Sequence, residues 1–331
     1  MTEKTASQSN FLSTIKVGSL TFISRVAGLI RDIFTTNLLG ASIFHDIFVV
    51  VLKIPNVFRK LFAEGAFSQA FIPIYSEYLG KQDERGGQDF LNALFGLLLS
   101  ALFIFTLLAL LFAPIFILIF APGFYFDIQK QDLAVNLLRI MFPYLGLISL
   151  VAFAAGIQNS HNKFSIPAVT PLIFNLSLIG SAWLVAPKIE IPVMALAWGV
   201  LLAGFLQLLF QIAPLTIIQK IPVPKIDLSN PGVKKFFILI LPAIVAGGIA
   251  QINLLIDTIF ASWLITGSPT WLYVSDRLIQ FPMGIFAIAI GTVLLPSLSK
   301  AYAQEKTQAF VSQLEHAFKL IFFLAIPSLI G

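Results

Sequence analysis

Residues 90–120 read FLNALFGLLLSALFIFTLLALLFAPIFILIF, and no charged side chain interrupts them. About 20 consecutive apolar residues are enough for a helix to cross the hydrocarbon core of a bilayer. Similar apolar stretches recur along the chain, in which 58% of the residues are hydrophobic and only 11% are charged, whereas soluble domains carry about 25% charged residues. Because these stretches lack the alternation of barrel strands, the sequence predicts an all-α, polytopic transmembrane helical bundle.

The order of apolar stretches and helix breakers predicts about nine membrane spans. They cover residues 14–38, 43–62, 90–120, 132–157, 167–186, 192–218, 235–265, 271–298 and 308–331. The segment Arg31-Asp32-Ile33-Phe34 is weakly repeated at 256–260, six spans later, which is typical of transporters built from two parallel lobes. We therefore predict an N-terminal lobe of six helices in residues 1–220. Residues 221–331 then begin a C-terminal lobe, with about three helices, and we expect this second lobe to be truncated.

The distribution of lysine and arginine in the loops predicts the orientation. One face carries most of these residues, namely Lys4, Lys81, Arg85, Lys163, Lys220, Lys225, Lys300 and Lys306. The other face has only Lys130 and Lys188. Because cytoplasmic loops carry the excess of positive charge, the N-terminus is predicted to be cytoplasmic.

Several chemical classes are disfavoured by the residue types present. The chain contains no cysteine, so it has no thiolate metal site and no cysteine nucleophile. It also contains no nucleophile elbow, phosphate-binding loop or zinc-ligand spacing. These observations predict a protein that is not an enzyme and holds no cofactor.

Charged residues within the first two spans carry the main functional signal. They are Arg25, Arg31, Asp32, Asp46, Lys53, Arg59 and Lys60, which lie within these spans or at their ends. Each costs roughly 2.5–3.5 kcal/mol at the centre of a bilayer, which is tolerable only if the residues face a water-filled cavity or one another. Arginine binds phosphate oxygens through two parallel hydrogen bonds and keeps its proton. The hypothesis is therefore a polar central cavity that binds an anionic substrate, such as a diphosphate head group.

Two other interpretations of these charges remain open. Arg59 and Lys60 could extend to the cytoplasmic interface, and Arg31 with Asp32 could form a local structural pair. We expect Arg31 and Asp32 not to share a partner, because adjacent side chains point about 100° apart on a helix.

The second lobe offers two further polar groups. Asp276 and Arg277 lie in the eighth predicted span, with Gln280 one turn beyond, where structural pairing is the alternative to substrate binding. Asn253 and Asp257 are spaced i, i+4 and share one face of the seventh span. Their oxygen atoms could help to hold a small cation such as sodium, or Asp257 could be protonated or paired within a helix–helix hydrogen bond.

Several long motifs together resemble one known family. They are SRVAGLIRD at 24–32, DIFV at 46–49, KIPN at 53–56 and FAEGAFSQAFIP at 62–73, with further matches at 162–168, 276–278 and 294–300. The chain resembles the MurJ (MviN) family of lipid II flippases, within the multidrug/oligosaccharidyl-lipid/polysaccharide exporter superfamily. The resemblance implies fourteen helices in two lobes in the bacterial inner membrane. It also implies alternating access that moves lipid II, a cell-wall precursor, from the cytoplasmic to the periplasmic leaflet.

The resemblance also assigns roles to particular residues. Arginines that match the cavity of the family are Arg25, Arg31, Arg59 and Arg277, and matching acidic positions are Asp32, Asp46 and Glu64. Lys53 and Asp276 complete the predicted substrate-binding set. Gln280 stands where the family commonly has glutamate, and Asp257 resembles an acidic residue that some members use for sodium. The predicted partners are lipid II and membrane lipids, without nucleic acid. The predicted protein is a monomer, with transport coupled to sodium or to the membrane potential.

The alternatives at this stage come from the same superfamily and from other classes. A drug/cation antiporter, or an exporter of another lipid-linked oligosaccharide, would share the fold, but cationic drugs favour carboxylates over arginines. A membrane enzyme acting on polyprenyl phosphates would need clustered aspartates to hold magnesium, and the sequence has no such cluster. A non-transporting scaffold is the remaining alternative.

Overall fold

The computed structural model describes residues 2–60, 65–280, 308, 310–315, 318–319 and 322–323, and these ranges contain helices and turns but no strand. The helices before residue 263 are, in chain order, α1 (Thr2–Leu39), α2 (Ile43–Arg59), α3 (Ala66–Gly80), α4 (Glu84–Leu111), α5 (Ala113–Phe120), α6 (Pro122–Tyr125), α7 (Ile128–Met141), α8 (Pro143–Ser160), α9 (Ser165–Gly180), α10 (Pro192–Ile217) and α11 (Pro231–Ser262). A further helix, α12, covers residues 268–280. The predicted all-α class is confirmed.

Prolines divide two of the predicted spans. The span predicted at 90–120 is α4 followed by α5, because Pro114 has no N–H to continue the helical hydrogen bonds. The span predicted at 132–157 lies within α7 and α8, which meet at Pro143. Proline at the first helical position has no hydrogen bond to lose, so it starts a new helix readily.

Five helical segments among the described residues are long and apolar enough to cross a membrane: Glu84–Leu111, Ile128–Ser160, Ser165–Lys188, Pro192–Ile217 and Pro231–Gly248. The spans predicted at 14–38 and 43–62 coincide with α1 and α2, although α2 has only 17 residues. The spans predicted at 271–298 and 308–331 lie largely outside the described residues.

The turns between the helices lie together at two ends of the bundle, where side chains make contacts between them. At one end, Tyr75 of α3 is hydrogen-bonded to His161 after α8 (3.1 Å), and Gln88 of α4 donates to the carbonyl of Ile221 (3.1 Å). We call this the basic end; it comprises turns 81–83 and 161–164 and segment 218–230. At the other end, the distal end, turns 40–42, 121–127 and 263–267 lie together. Gly123, for example, donates to the hydroxyl of Ser262 (3.0 Å).

Aromatic side chains fill the core near the basic end. Phe67 and Phe71 of α3, Phe90 of α4, Phe153 of α8 and Phe236 of α11 are all buried in one cluster. Ring centroids within it lie 5.3–5.9 Å apart, a separation at which aromatic pairs gain about 0.5–1.5 kcal/mol beyond area burial. This cluster joins the beginning of α11 to helices of the predicted first lobe.

Contacts along the chain separate two compact units, Met1–Trp271 and Leu272–Gly331. All helices from α1 to α11 therefore belong to the first unit. The predicted lobe boundary at residues 220 and 221 stays a prediction.

Candidate functional site

Arg31 is buried between α1 and α9, with 7% of its surface exposed. Its Nη1 donates to Oδ1 of Asn175 (3.0 Å), while Nε and Nη2 donate to Oδ1 of Asp32 (3.0 and 2.6 Å). The guanidinium also lies over the ring of Phe174, 5.6 Å from its centroid. A permanent cation is thus held inside the bundle by one carboxylate, one amide and one aromatic face.

Arg31 and Asp32 pair with each other, and the expectation that they do not share a third partner stays a prediction. Their Cα–Cβ bonds do diverge, as on any helix. The arginine side chain is long enough, however, to curl back along the helix and reach the neighbouring carboxylate. The alternative of a local pair is therefore correct for this contact, and the role of both residues in substrate binding stays a prediction.

Asn175 is a site residue that sequence reasoning missed. Its Nδ2 donates to the carbonyl of Ser24 (2.9 Å), and its Oδ1 accepts from Arg31, so neither end of the amide is free to rotate. Gly28 lies beside this amide, and a Cβ at that position would make an ordinary contact 3.6 Å from Asn175 Nδ2. The sequence signal for Asn175 is that it is the single amide side chain within the predicted span 167–186.

Arg25 differs from Arg31 in its surroundings. It lies 6 positions earlier on α1, is half-buried, and has no hydrogen bond or ion pair within the part of the chain that the structure describes. An arginine in a membrane helix is costly unless it meets water or an anion. Arg25 therefore has the chemistry expected of a residue that binds an anionic ligand.

The polar residues of α2 lie along one stripe of an otherwise buried helix. Every residue from His45 to Val57 is buried except Lys53 and Asn56, which are half-buried. Arg59 continues the stripe at the end of the helix, and its Nε donates to Oδ1 of Asn56 (3.2 Å). The spacing 53, 56, 59 places successive side chains on neighbouring faces of the helix, and their role in a cavity stays a prediction.

Asp46 makes contacts that sequence reasoning did not foresee. Its carboxylate accepts hydrogen bonds from the N–H of Gly267 (2.6 Å), the N–H of Thr270 (3.0 Å) and the hydroxyl of Thr270 (2.6 Å). Gly267 directly precedes α12, so Asp46 caps this helix from a distant part of the chain and meets the positive end of its dipole. The predicted contact of Asp46 with substrate stays a prediction.

The remaining predicted residues are less constrained. Glu64 lies outside the described residues. In the second unit, the guanidinium carbon of Arg277 lies 5.0 Å from the centroid of the Tyr273 ring, while Asp276 and Gln280 are exposed. These three positions lie in α12, and their predicted role stays untested.

Asn253 and Asp257 are both exposed on α11, one turn apart. Among the described residues, no group of three or more histidines, aspartates or glutamates is placed to hold a metal ion. The predicted sodium site therefore rests on the two oxygen-bearing side chains alone.

A buried glutamine network is a second feature that sequence reasoning missed. Gln158 of α8 donates to Gln211 of α10, which donates to the hydroxyl of Thr170 of α9 (2.7 Å). Gln207, one turn before Gln211, donates to the carbonyl of Thr170 (2.9 Å). The network ties three helices together, and such bonds between membrane helices contribute about 0.6 kcal/mol each on average. The sequence signal for this network was the i, i+4 spacing of the two α10 glutamines within an apolar span.

A cavity of about 330 Å³ lies at the basic end. It is lined by residues of α3, α4 and the segment after α10, including Tyr75, Tyr78, Asp83 and Lys220. None of the predicted substrate-binding residues that the structure describes lines this cavity.

Five apolar helical segments of membrane-spanning length, packed with helices that bury Arg31, Asp32 and Asp46, define a polytopic membrane protein. Solved structures with a similar fold include a transporter of the MOP superfamily from Pyrococcus furiosus, with a TM-score of 0.59 and 14% identity over 95% of this chain and 70% of that one. A multidrug resistance MATE family transporter of the same superfamily in an inward-facing conformation gives a TM-score of 0.57 at 14% identity, covering 94% of this chain and 68% of that one. At this identity the likeness shows the fold alone.

Sequence comparison identifies the particular family. The family model described as lipid II flippase MurJ matches residues 35–331. The probable lipid II flippase MurJ of Vibrio cholerae is 40% identical, covering 100% of this chain and 64% of that protein. The lipid II flippase MurJ of Burkholderia cenocepacia is 38% identical, covering 96% of this chain and 62% of that protein. The chain belongs to the MurJ lipid II flippase family, and it spans less than two thirds of the length of these relatives.

Proposed function

We propose that this chain carries the arginine-bearing lobe of a flippase that moves lipid II from the cytoplasmic to the periplasmic leaflet by alternating access. The substrate class comes from the names of its relatives, and the cavity chemistry comes from its own residues. The polyprenyl tail stays in the lipid while the diphosphate-linked sugar crosses through the protein. Transport of this kind needs no covalent step.

The observation that carries the proposal is the pair of cations on α1. Arg31 is buried and held in place by Asp32 and Asn175, whereas Arg25 is half-buried without an ion pair in the described part of the chain. One fixed cation and one uncommitted cation in a membrane helix favour an anionic ligand. The stripe of Lys53, Asn56 and Arg59 on α2 adds further hydrogen-bond donors.

The same contacts argue against a drug/cation antiporter. Cationic drugs would need carboxylates that are free to pair with them. Asp32 is already paired with Arg31, and Asp46 is already bound to backbone and hydroxyl groups of Gly267 and Thr270. The buried acids of the first two helices are therefore committed to the protein itself.

The proposal includes an orientation, an assembly state and an energy source. The basic end faces the cytoplasm and the distal end the periplasm of a bacterial inner membrane, because positive loops remain inside. The protein acts as a monomer. Moving one charge through 100 mV involves about 2.3 kcal/mol, so the membrane potential can drive an anionic head group outward. Sodium bound near Asn253 and Asp257 is the alternative source.

Substitution of Arg25 tests this proposal. Vesicles that contain the whole chain and lipid II are compared for the wild type, Arg25→Ala and Arg25→Lys, and translocation is measured as the fraction of lipid II that becomes accessible on the outer leaflet. We expect Arg25→Ala to abolish translocation while membrane insertion is retained. Arg25→Lys should restore part of the activity, because lysine keeps the charge but not the planar fork.

Lys188→Ala is the matched control, since Lys188 is an exposed cation in the turn before α10. It should translocate lipid II at the wild-type rate. Normal translocation by Arg25→Ala would refute the assignment of the cavity.

A further inference from the structure

The segment between α10 and α11, residues 218–230, is an extended strap that lies across α4. Asn92 Oδ1 accepts from the N–H of Val223 (2.8 Å), and the Asn92 carbonyl accepts from the N–H of Lys225 (3.1 Å). Gln88, one turn earlier on α4, donates to the carbonyl of Ile221 (3.1 Å). Backbone groups of alternate residues of the strap therefore bind the helix.

The sequence of the strap suits this extended form. Pro222 and Pro224 alternate with the residues whose N–H groups bind α4, and neither proline has an N–H that needs a partner. Residues that precede proline avoid the helical region, which holds Ile221 and Val223 extended before they dock.

Gly96 forms the seat of the strap on α4. A Cβ at this position would stand 2.3 Å from the carbonyl oxygen of Lys225 and 2.6 Å from its nitrogen. Real side chains do not approach so closely, so only glycine admits the strap here. A glycine within a helix costs about 1 kcal/mol relative to alanine, and close docking of the strap explains its presence.

The strap crosses α4 where the helix changes from polar to apolar. Residues 84–92 include Glu84, Arg85, Asp89 and Asn92, whereas no charged residue follows until Asp127. For a membrane-spanning helix, this change marks the boundary between the head groups and the hydrocarbon. The strap therefore lies at the level of the membrane surface.

The outer side of the strap is apolar and flanked by cations. Val223, Ile226 and Leu228 are 63%, 72% and 62% exposed. Lys225 is exposed and lies 3.7 Å from Asp227, while Lys234, in the first turn of α11, is exposed without an ion pair in the described part of the chain. Apolar side chains beside lysines are the composition of segments that insert into an anionic membrane surface.

We propose that the strap is an interfacial membrane anchor. Val223, Ile226 and Leu228 enter the boundary between head groups and acyl chains, and the ammonium groups of Lys225 and Lys234 bind anionic lipid phosphates. The anchor fixes the beginning of α11 at the membrane surface through the seat on α4. The proposed role of the strap as an anchor does not depend on which substrate the protein moves.

The absence of cysteine from the chain makes a direct test available. Single cysteines at Ile226 and at Gln82, an exposed polar position in the turn before α4, are labelled with a nitroxide. The whole chain is placed in vesicles of phosphatidylethanolamine and phosphatidylglycerol. Collisions with oxygen, which concentrates in the bilayer, are compared with collisions with a water-soluble nickel chelate.

We expect the ratio of oxygen to nickel collisions to be several-fold higher at position 226 than at position 82. Equal ratios would place the strap in water and overturn the anchor. A label at 226 that meets neither reagent would show that protein covers the strap, and this outcome also overturns it. Replacing phosphatidylglycerol by phosphatidylcholine should lower the ratio at 226, and an unchanged ratio would refute the role of anionic lipid.

Two substitutions on α4 test the seat. Asn92→Ala removes the side-chain acceptor of the Val223 N–H, so the label at 226 should lose its depth and gain mobility. Ser100→Ala is the matched control, because Ser100 bonds only to the Gly96 carbonyl of its own helix (2.8 Å). Loss of depth in both variants, or in neither, would show that Asn92 does not hold the strap.

Discussion

The two ends of α11 are held to the first six predicted spans by different kinds of contact. At the basic end, Val233 and Phe236 are buried in the aromatic core with Phe67 and Phe90. Gly232 lies so close to Phe90 that a Cβ there would stand 2.6 Å from the ring. The buried part of this contact is close-packed and apolar, and the exposed ion pair of Glu77 and Lys235 lies beside it.

At the distal end, hydrogen bonds accompany one stacked aromatic pair, Phe126 and Trp263, whose ring centroids lie 5.8 Å apart. Asp46 binds the turn after α11 through Gly267 and Thr270, and Ser262 binds the N–H of Gly123 (3.0 Å). Hydrogen bonds like these can be exchanged for bonds to water at small net cost. Opening an apolar core instead exposes surface at about 25 cal/mol per Å².

Under the proposed function, the difference favours one end of α11 as the end that moves. A contact whose partners can be replaced by water can open and close repeatedly, whereas the aromatic core cannot open without a large cost. We therefore expect the distal contact to open in the transport cycle while the basic contact stays closed. The following predictions test this difference.

Disulfide cross-links at the two ends should give the largest effect. The cysteine pair Asp46→Cys with Thr270→Cys joins side chains whose polar atoms lie 2.6 Å apart. The pair Phe90→Cys with Gly232→Cys joins positions in direct contact, since a Gly232 Cβ would be 3.1 Å from Phe90 Cγ. Oxidation should stop lipid II translocation by the 46–270 pair and leave the 90–232 pair at the rate of its own reduced form.

Each pair serves as its own reference, because a reductant should restore the 46–270 variant to its rate before oxidation. The chain has no native cysteine to interfere. If oxidation leaves the 46–270 pair active, or stops the 90–232 pair, the proposed division between the two ends is wrong.

Single substitutions at the distal end should have intermediate effects. Asp46→Ala removes three hydrogen bonds to a charged acceptor, whereas Ser262→Ala removes one neutral bond. We expect the free energy of unfolding to fall by about 3 kcal/mol for Asp46→Ala and by about 1 kcal/mol for Ser262→Ala. Unfolding in mixed detergent micelles measures both. Equal losses would mean that the carboxylate adds nothing beyond an ordinary hydrogen bond.

Much of the fold could be predicted because the bilayer constrains composition so strongly. Long apolar stretches must be helical, since every backbone polar group needs a partner within its own segment. Buried charges such as Arg31 could be located by the same reasoning. The helix breaks were partly missed, because Pro114 and Pro143 lie within stretches that remain apolar across the break.

The partners of the buried charges could not be predicted in the same way. Arg31 binds Asn175, which is 144 positions away, and no pattern near either residue indicates the contact. Asp46 binds backbone N–H groups of Gly267 and Thr270, which every residue type except proline possesses. The strap likewise depends on a glycine, Gly96, whose importance appears only when another segment lies across it.

The exposed ion pair at the basic end should have the smallest effect. Glu77 lies 2.5 Å from Lys235 and 2.7 Å from Lys81, and the hydrogen bond from Lys235 is the main cause that lowers the pKa of Glu77 from 4.5 to about 2. Because the folded pKa is the lower one, the pair stabilises the fold fully above about pH 4.5, and this contribution is lost as the pH falls toward about 2.

Unfolding of the wild type and of Glu77→Gln, followed across this pH range, measures that contribution. Water and salt screen exposed pairs, so the difference between the two proteins should be small above pH 4.5 and should shrink as the pH is lowered. Gly232→Ala, which crowds Phe90 at the same end, should destabilise more than Glu77→Gln and with no such pH dependence. A larger loss for Glu77→Gln would mean that charge, rather than the aromatic core, holds the basic end of α11.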